Sequence, residues 1–243
     1  MNVLSLFSGI GALDCGLELA GMTVVAQVEQ DPLRRAILAR HWPDLPQHDD
    51  VTTFAQWWQQ EDRPHVHLVA GGPPCQPFSQ AGLRYGIADE RWMWPAMADV
   101  IRLVRPSWVL LENVSELAVQ HRDAFGRILA DLADLRFDAE WTVLPACAVG
   151  APHPRKRLFL VANTHEVDGT SRLGAWPTRP RPVQAFDDRA RAWRHQVDQA
   201  VASAAGDARD AGWSALELVA AGGDAVVVQV AEWVGRLIME AAA

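Results

Sequence analysis

Val3-Leu-Ser-Leu-Phe-Ser-Gly-Ile-Gly11 opens the chain with a short apolar run that breaks into a glycine-rich turn, and a helical pattern follows. A β-prone run leading through Gly-x-Gly into a helix is the first unit of an α/β sheet, a place where a ligand can lie against backbone and a helix N-terminus. Outward from it, β-rich runs recur with helical patterns between them: Thr23–Val28, Val66–Val69, Trp108–Leu111, Trp141–Leu144 and Leu158–Val161. That alternation predicts a doubly wound α/β sheet with helices on both faces. In such open sheets ligands bind beyond the carboxyl ends of the strands. Gly9, Glu29, Asp50, Cys75 and Glu112 each follow a predicted strand or its connecting loop, so one edge of the sheet collects them.

The run Val66-His-Leu-Val69 leads into Gly71-Gly-Pro-Pro-Cys-Gln-Pro-Phe-Ser-Gln80. Prolines restrict this loop and glycines let backbone approach a ligand, which displays Cys75 at a strand end as a nucleophile. An ordinary free cysteine is more often buried filler, and the bracketing prolines weigh against that reading here. Glu29 ends the second run, where an acidic side chain can meet a ribose diol. Taken singly, Glu29 and Asp50 also read as solvated carboxylates. Glu112 sits in Leu110-Leu-Glu-Asn-Val114, an apolar strand end where desolvation is expected to raise a carboxyl pKa.

These segments, in this order, resemble the cytosine-C5 DNA methyltransferase family: Leu4 to Gly16, Glu29, Asp50-Val51, Pro74-Cys-Gln76, Glu112-Asn-Val114, Arg155-Lys-Arg157 and, near the end, Gly223-Asp-Ala-Val-Val227. The resemblance covers about residues 3 to 162 and 222 to 238. It implies a Rossmann-like, S-adenosylmethionine-dependent methyltransferase sheet. It also implies cofactor contacts from Phe7, Gly9, Gly11, Glu29, Asp50, Val51, Pro73, Asp224 and Val226. Catalysis is carried over to Cys75, Glu112, Arg155 and Arg157. By this resemblance Cys75 attacks C6 of a flipped cytosine, Glu112 engages ring N3, and the arginines contact the base and a neighbouring phosphate. Double-stranded DNA is the implied partner; a transfer-RNA substrate fits the same chemistry.

Length and composition agree with an enzyme of this kind. The 243 residues make one large domain, or one with a small appendage, and 49% are hydrophobic. No apolar run approaches the roughly 18 residues that a membrane span needs, and Met1-Asn-Val-Leu-Ser5 lacks the basic start of a secretory signal, so a cytoplasmic location is expected. Cys15, Cys75 and Cys147 show no paired spacing, which argues against a disulfide framework and a zinc site, and no metal is expected. The net charge of -8 is the wrong sign for a protein that merely coats nucleic acid. Local clusters can still meet phosphates: Arg155-Lys-Arg157, and the arginine-rich stretch from Arg172 to Arg194, which also reads as a solvated loop.

The expected organisation is a catalytic and cofactor-binding domain over 1–163, a shortened target-recognition or linker region over 164–221, and a C-terminal helix over 222–243 that returns to the catalytic domain. Residues 164–188 lack periodicity, a helical pattern resumes over 189–205, and Val226, Val230, Trp233, Val234, Leu237 and Ile238 take helical spacing. Three features depart from the family. His153 stands where glutamine is usual, Asp224 stands where asparagine is common, and the interval before the last helix is short. Ionised Asp224 cannot donate as an amide does. The departures keep two alternatives open: a trimmed DNA- or cofactor-binding homologue, and a protein whose target recognition comes from a partner chain.

Overall fold

The computed structural model describes residues 1–60, 63–74, 92–149, 155–164 and 226–243. Among these, seven strands form one sheet in the order β3-β2-β1-β4-β5-β7-β6. They are β1 (Asn2–Leu6), β2 (Thr23–Val28), β3 (Gln47–His48), β4 (Leu68–Gly71), β5 (Trp108–Val114), β6 (Phe137–Pro145) and β7 (Lys156–Thr164). The first five run parallel, and β7 inserts antiparallel between β5 and β6. The order reverses between β1 and β4, where a crevice opens at the strand ends. The helices are α1 (Ala12–Leu19), α2 (Pro32–His41), α3 (Phe54–Trp58), α4 (Trp94–Val104), α5 (Glu116–Val119), α6 (Arg122–Asp134) and α7 (Val228–Ala241).

Both faces of the central strands are covered, which is why they read as unbroken apolar runs instead of alternating ones. Val109, Leu111, Leu158 and Leu160 pack with Trp94, Met97 and Ile101 of α4 and with Phe125, Ile128 and Leu132 of α6. On the other face Trp108, Leu110, Phe159 and Val161 meet Leu13 and Leu17 of α1 and Val230, Val234 and Ile238 of α7. The switch of face with each residue is the two-residue period of a strand. The buried indole of Trp94 donates to Asp131 Oδ2 at 2.9 Å, so its polar edge is satisfied inside the first cluster.

The last helix lies directly on the first. A Cβ at Gly16 would stand 2.4 Å from Ala231 Cβ and 2.7 Å from the Val228 carbonyl oxygen, so only glycine admits this approach. Arg236 bridges the pair, holding Glu232 on its own helix and donating to the Leu19 carbonyl at 3.4 Å.

Two elements lay beyond the sequence pattern. Strand β3 has only two residues, too few for a period. The reversed direction of β7 depends on pairing, which an apolar run does not encode. Thr164, the first residue of the irregular 164–188 segment, ends β7; the rest of that segment, the helical pattern over 189–205, Cys75, His153 and Asp224 fall outside the described residues.

Candidate active site

The parallel strands all deliver their carboxyl ends to one edge of the sheet, and the antiparallel β7 delivers its beginning to that same edge. Hence Phe7 to Gly11 after β1, Glu29 after β2, Asp50 after β3, Gly72 and Pro73 after β4, Glu112 near the end of β5 and Arg155 and Arg157 at the start of β7 converge.

The turn after β1 is held in an unusual backbone conformation. Phe7, Gly9 and Gly11 have φ of 54°, 59° and 85°, and for phenylalanine this is a sparsely populated region. At Gly11 a Cβ would also sit 2.4 Å from Trp42 Cζ3, so the site requires glycine for packing as well as for the turn. Glu29, 7% exposed, braces the same turn: Oε2 accepts from the Gly9 amide at 2.7 Å and Oε1 from the Asp31 amide at 3.0 Å. A carboxylate has about four lone-pair sites, so acceptor capacity is left over.

The turn forms one wall of a cleft of about 540 Å³, counting its open mouth, lined by Phe7, Ser8, Gly9, Leu13, Glu112 and Val226 among others. Gly11 caps α1 without a side-chain hydrogen bond, and Ala12 and Leu13 of its first turn border the cleft. Of the residues carried over from the family, Phe7, Gly9, Glu112 and Val226 line this cleft, whereas Gly11, Glu29, Asp50, Val51 and Pro73 lie outside its lining. Val51 is buried beside Phe54. Asp50 caps the turn that begins with Val51; its Oδ1 accepts from the Thr52 hydroxyl at 2.7 Å and amide at 2.8 Å, bonds that hold its carboxyl below its ordinary pKa.

Glu112 and Arg157 meet through strand register. Glu112 pairs with Phe159 and Val114 with Arg157, which makes Glu112 and Arg157 diagonal neighbours on one face. Arg157 Nε lies 3.0 Å from Glu112 Oε1, with the side chains only 20% and 14% exposed. The sequence expectation for Glu112 took in desolvation alone; the structure adds the Arg157 guanidinium beside it. Arg155 and Arg157 line a smaller adjoining cavity of about 210 Å³ with Phe159, Val226 and Val230, so Val226 borders both spaces.

Asn113 points to the opposite face and does something its sequence position did not reveal. Its Nδ2 donates to the Pro73 carbonyl at 3.0 Å, and its Oδ1 accepts from the Val114 amide at 2.9 Å. A Cβ at Gly72 would approach Glu112 Oε2 to 3.0 Å. The segment leading to Cys75 is therefore fastened to β5 beside Glu112. The only advance signal was the adjacency of Asn113 to Glu112.

A family model for the C-5 cytosine-specific DNA methylase matches residues 1–203. The chain belongs to that family. Curated relatives of the chain include the type II methyltransferase M2.BsuMI of Bacillus subtilis, 33% identical over 172 residues, or 68% of this chain and 43% of that protein. M.AquIA of Picosynechococcus sp. is 32% identical over 207 residues, covering 78% of this chain and 79% of the relative. M.NgoPII of Neisseria gonorrhoeae is 34% identical over 166 residues, 66% and 47% of the two chains. The chain spans about half the length of M2.BsuMI and M.NgoPII and most of M.AquIA. Among solved structures, Spodoptera frugiperda DNMT2 aligns with a TM-score of 0.53 at 21% identity, covering 74% of this chain and 53% of that one. A DNA modification methyltransferase encoded within an E. coli prophage aligns at 0.57 and 24%, covering 68% and 47%. At these identities the two structures speak to the fold, which they share.

Proposed function

We propose that this chain is an S-adenosylmethionine-dependent DNA cytosine-C5 methyltransferase. The observation that carries the reading is the pairing of Glu112 with Arg157 at the mouth of the cleft behind the Phe7–Gly11 turn, beside the segment that leads to Cys75.

The cleft suits the cofactor. Glu29 keeps acceptor sites for a ribose diol, the uncapped start of α1 suits a carboxylate, and Phe7, Ile10, Leu13 and Val226 offer apolar surface. Gly9, Gly11, Asp50, Val51, Pro73 and Asp224 complete the proposed cofactor set. S-adenosylmethionine, when bound, supplies a sulfonium-activated methyl group to cytosine C5.

C5 of an aromatic cytosine is a poor nucleophile, so the protein must first break the aromaticity. Cys75 does this as a thiolate, forming a bond from Sγ to C6. Covalent connectivity keeps Cys75 within about 7 Å of Pro73, which Asn113 fastens next to Glu112. Glu112 engages N3 and stabilises the electron density that attack pushes into the ring. Glu112, protonated or sharing a proton with N3, takes that proton back as the adduct collapses. Arg155 and Arg157 hold the base and a flanking phosphate. After C5 is methylated, its proton departs to a base, the C6–Sγ bond breaks, and the ring regains its aromaticity with the thiolate restored. The target must leave the stack for this chemistry, so the enzyme acts on a flipped cytosine. A reducing, cytoplasmic setting keeps Cys75 available.

The domain division proposed is 1–163 for catalysis, 164–221 for a reduced recognition region and 222–243 for the returning helix. A partner chain supplying target recognition is a second reading. It is favoured by the interval between Thr164 and Val228, which is short for this family.

Duplex DNA carrying 5-fluorocytosine tests the chemistry, because fluorine at C5 cannot leave as a proton and the Cys75 adduct persists. A covalent complex that forms with the methyl donor and vanishes in Cys75→Ala is expected; no complex with DNA in the wild type would defeat the reading for the isolated chain.

A further inference from the structure

Asp14 is a fully buried acid on α1 that the mechanism above does not use. It accepts from the Ser5 hydroxyl at 2.5 Å through Oδ1 and from Gln27 Nε2 at 2.7 Å through Oδ2. Gln27 in turn accepts from Gln47 Nε2 at 3.2 Å, which ties in β3. On the other side Ser5 Oγ lies 2.9 Å from Ser8 Oγ. The Ser5 proton is committed to Asp14, and of the three acceptors within reach of the Ser8 hydroxyl, Ser5 Oγ at 2.9 Å is nearer than the carbonyls of Ser5 and Val28 at 3.3 and 3.4 Å. Ser8 lines the cleft between Phe7 and Gly9.

A buried carboxylate is expensive unless it is hydrogen-bonded, and this one is held by two buried donors, Ser5 and Gln27. Here it terminates a chain of hydroxyls that starts in the turn with Phe7 at φ 54°, a region that side-chain-bearing residues rarely adopt. Charge-assisted hydrogen bonds are roughly twice as strong as neutral ones, which suits an anchor for strained backbone.

We propose that Asp14 is a positioning residue for the methyl-donor site: through Ser5 and Ser8 its carboxylate holds the Phe7–Gly11 turn in the conformation that forms the cleft. The proposal rests on reading that cleft as the S-adenosylmethionine site. Burial pushes the Asp14 carboxyl up to about 6, and Glu18 on α1 and Glu29 after β2, both acidic, push the same way; Glu232 on α7 acts on the adjacent Cys15. The anchor therefore weakens as pH falls through that value, within a range where the protein is handled.

Calorimetric titration of the full chain with S-adenosylhomocysteine tests this without requiring turnover. Wild-type affinity should fall several-fold between pH 7.5 and 5.5. Asp14→Asn, which fits the same space, should weaken binding about three- to tenfold at pH 7.5 and flatten the pH profile. Ser5→Ala should weaken it about tenfold, and the double variant should be no worse than Ser5→Ala, because both cut one chain. Wild-type affinity and pH profile in both single variants, or fully additive losses in the double, would overturn the proposal. Wild-type protein that does not bind S-adenosylhomocysteine at all would overturn the cofactor reading itself, and the role of Asp14 with it.

Discussion

Glu112 illustrates what a single residue carries and what it lacks. Its place at an apolar strand end was legible, yet its partner was not, since Arg157 is 45 positions away and meets it only through the antiparallel register of β5 and β7. On the proposed mechanism Glu112→Gln lowers methyl transfer about 100-fold or more, and Arg157→Ala at least about tenfold, with circular dichroism unchanged. Asp14 lies within the Leu4 to Gly16 segment with no role legible from sequence, because a carboxylate on a helix usually faces solvent and nothing local marks this one as enclosed. Its raised pKa means that the folded protein holds a proton which the unfolded chain, at 3.8, has lost. The resulting stabilisation is present below about pH 4 and is lost as pH rises to about 6, on the order of 3 kcal/mol. Denaturant melts across that window should show the stability difference between wild type and Asp14→Asn shifting in favour of the variant as pH rises; a constant difference would contradict the assignment. The cysteines differ in the same sense. Burial and nearby carboxylates push the Cys15 thiol far up, whereas Cys147 is exposed. At pH 8 a thiol reagent should modify Cys147 rapidly and Cys15 only on unfolding, read by peptide mass mapping.

Among elements, the closing helix was visible in the spacing of Val226, Val230, Trp233, Val234, Leu237 and Ile238, but spacing does not say what a helix packs against. The answer lies in Gly16, whose missing side chain admits Ala231. Gly16→Val places atoms against the backbone of Val228 and Glu232, which cannot yield as a flexible side chain would. Destabilisation of about 1–3 kcal/mol is expected. Because Val226 borders both the cleft and the arginine-lined cavity, the same variant should weaken cofactor binding. Thermal unfolding and calorimetry measure the two effects; a wild-type melting temperature would show that α7 does not depend on this contact. Strand β3 and the direction of β7 were illegible for a related reason: both are defined by hydrogen-bonded neighbours, not by local pattern.

For the molecule as a whole, the strand-and-helix alternation sufficed for the doubly wound class, and the carboxyl-edge rule gathers most of the candidate groups from the sequence alone. On the proposed function, any choice of DNA site falls to the interval between β7 and α7 or to a partner chain. The most direct measurement is transfer of a labelled methyl group from S-adenosylmethionine to mixed-sequence duplex DNA and to transfer RNA, with Cys75→Ala alongside. Label in DNA that disappears with the variant is the expected result. Label confined to transfer RNA, or DNA labelling that survives Cys75→Ala, would contradict a Cys75-dependent DNA cytosine-C5 methyltransferase.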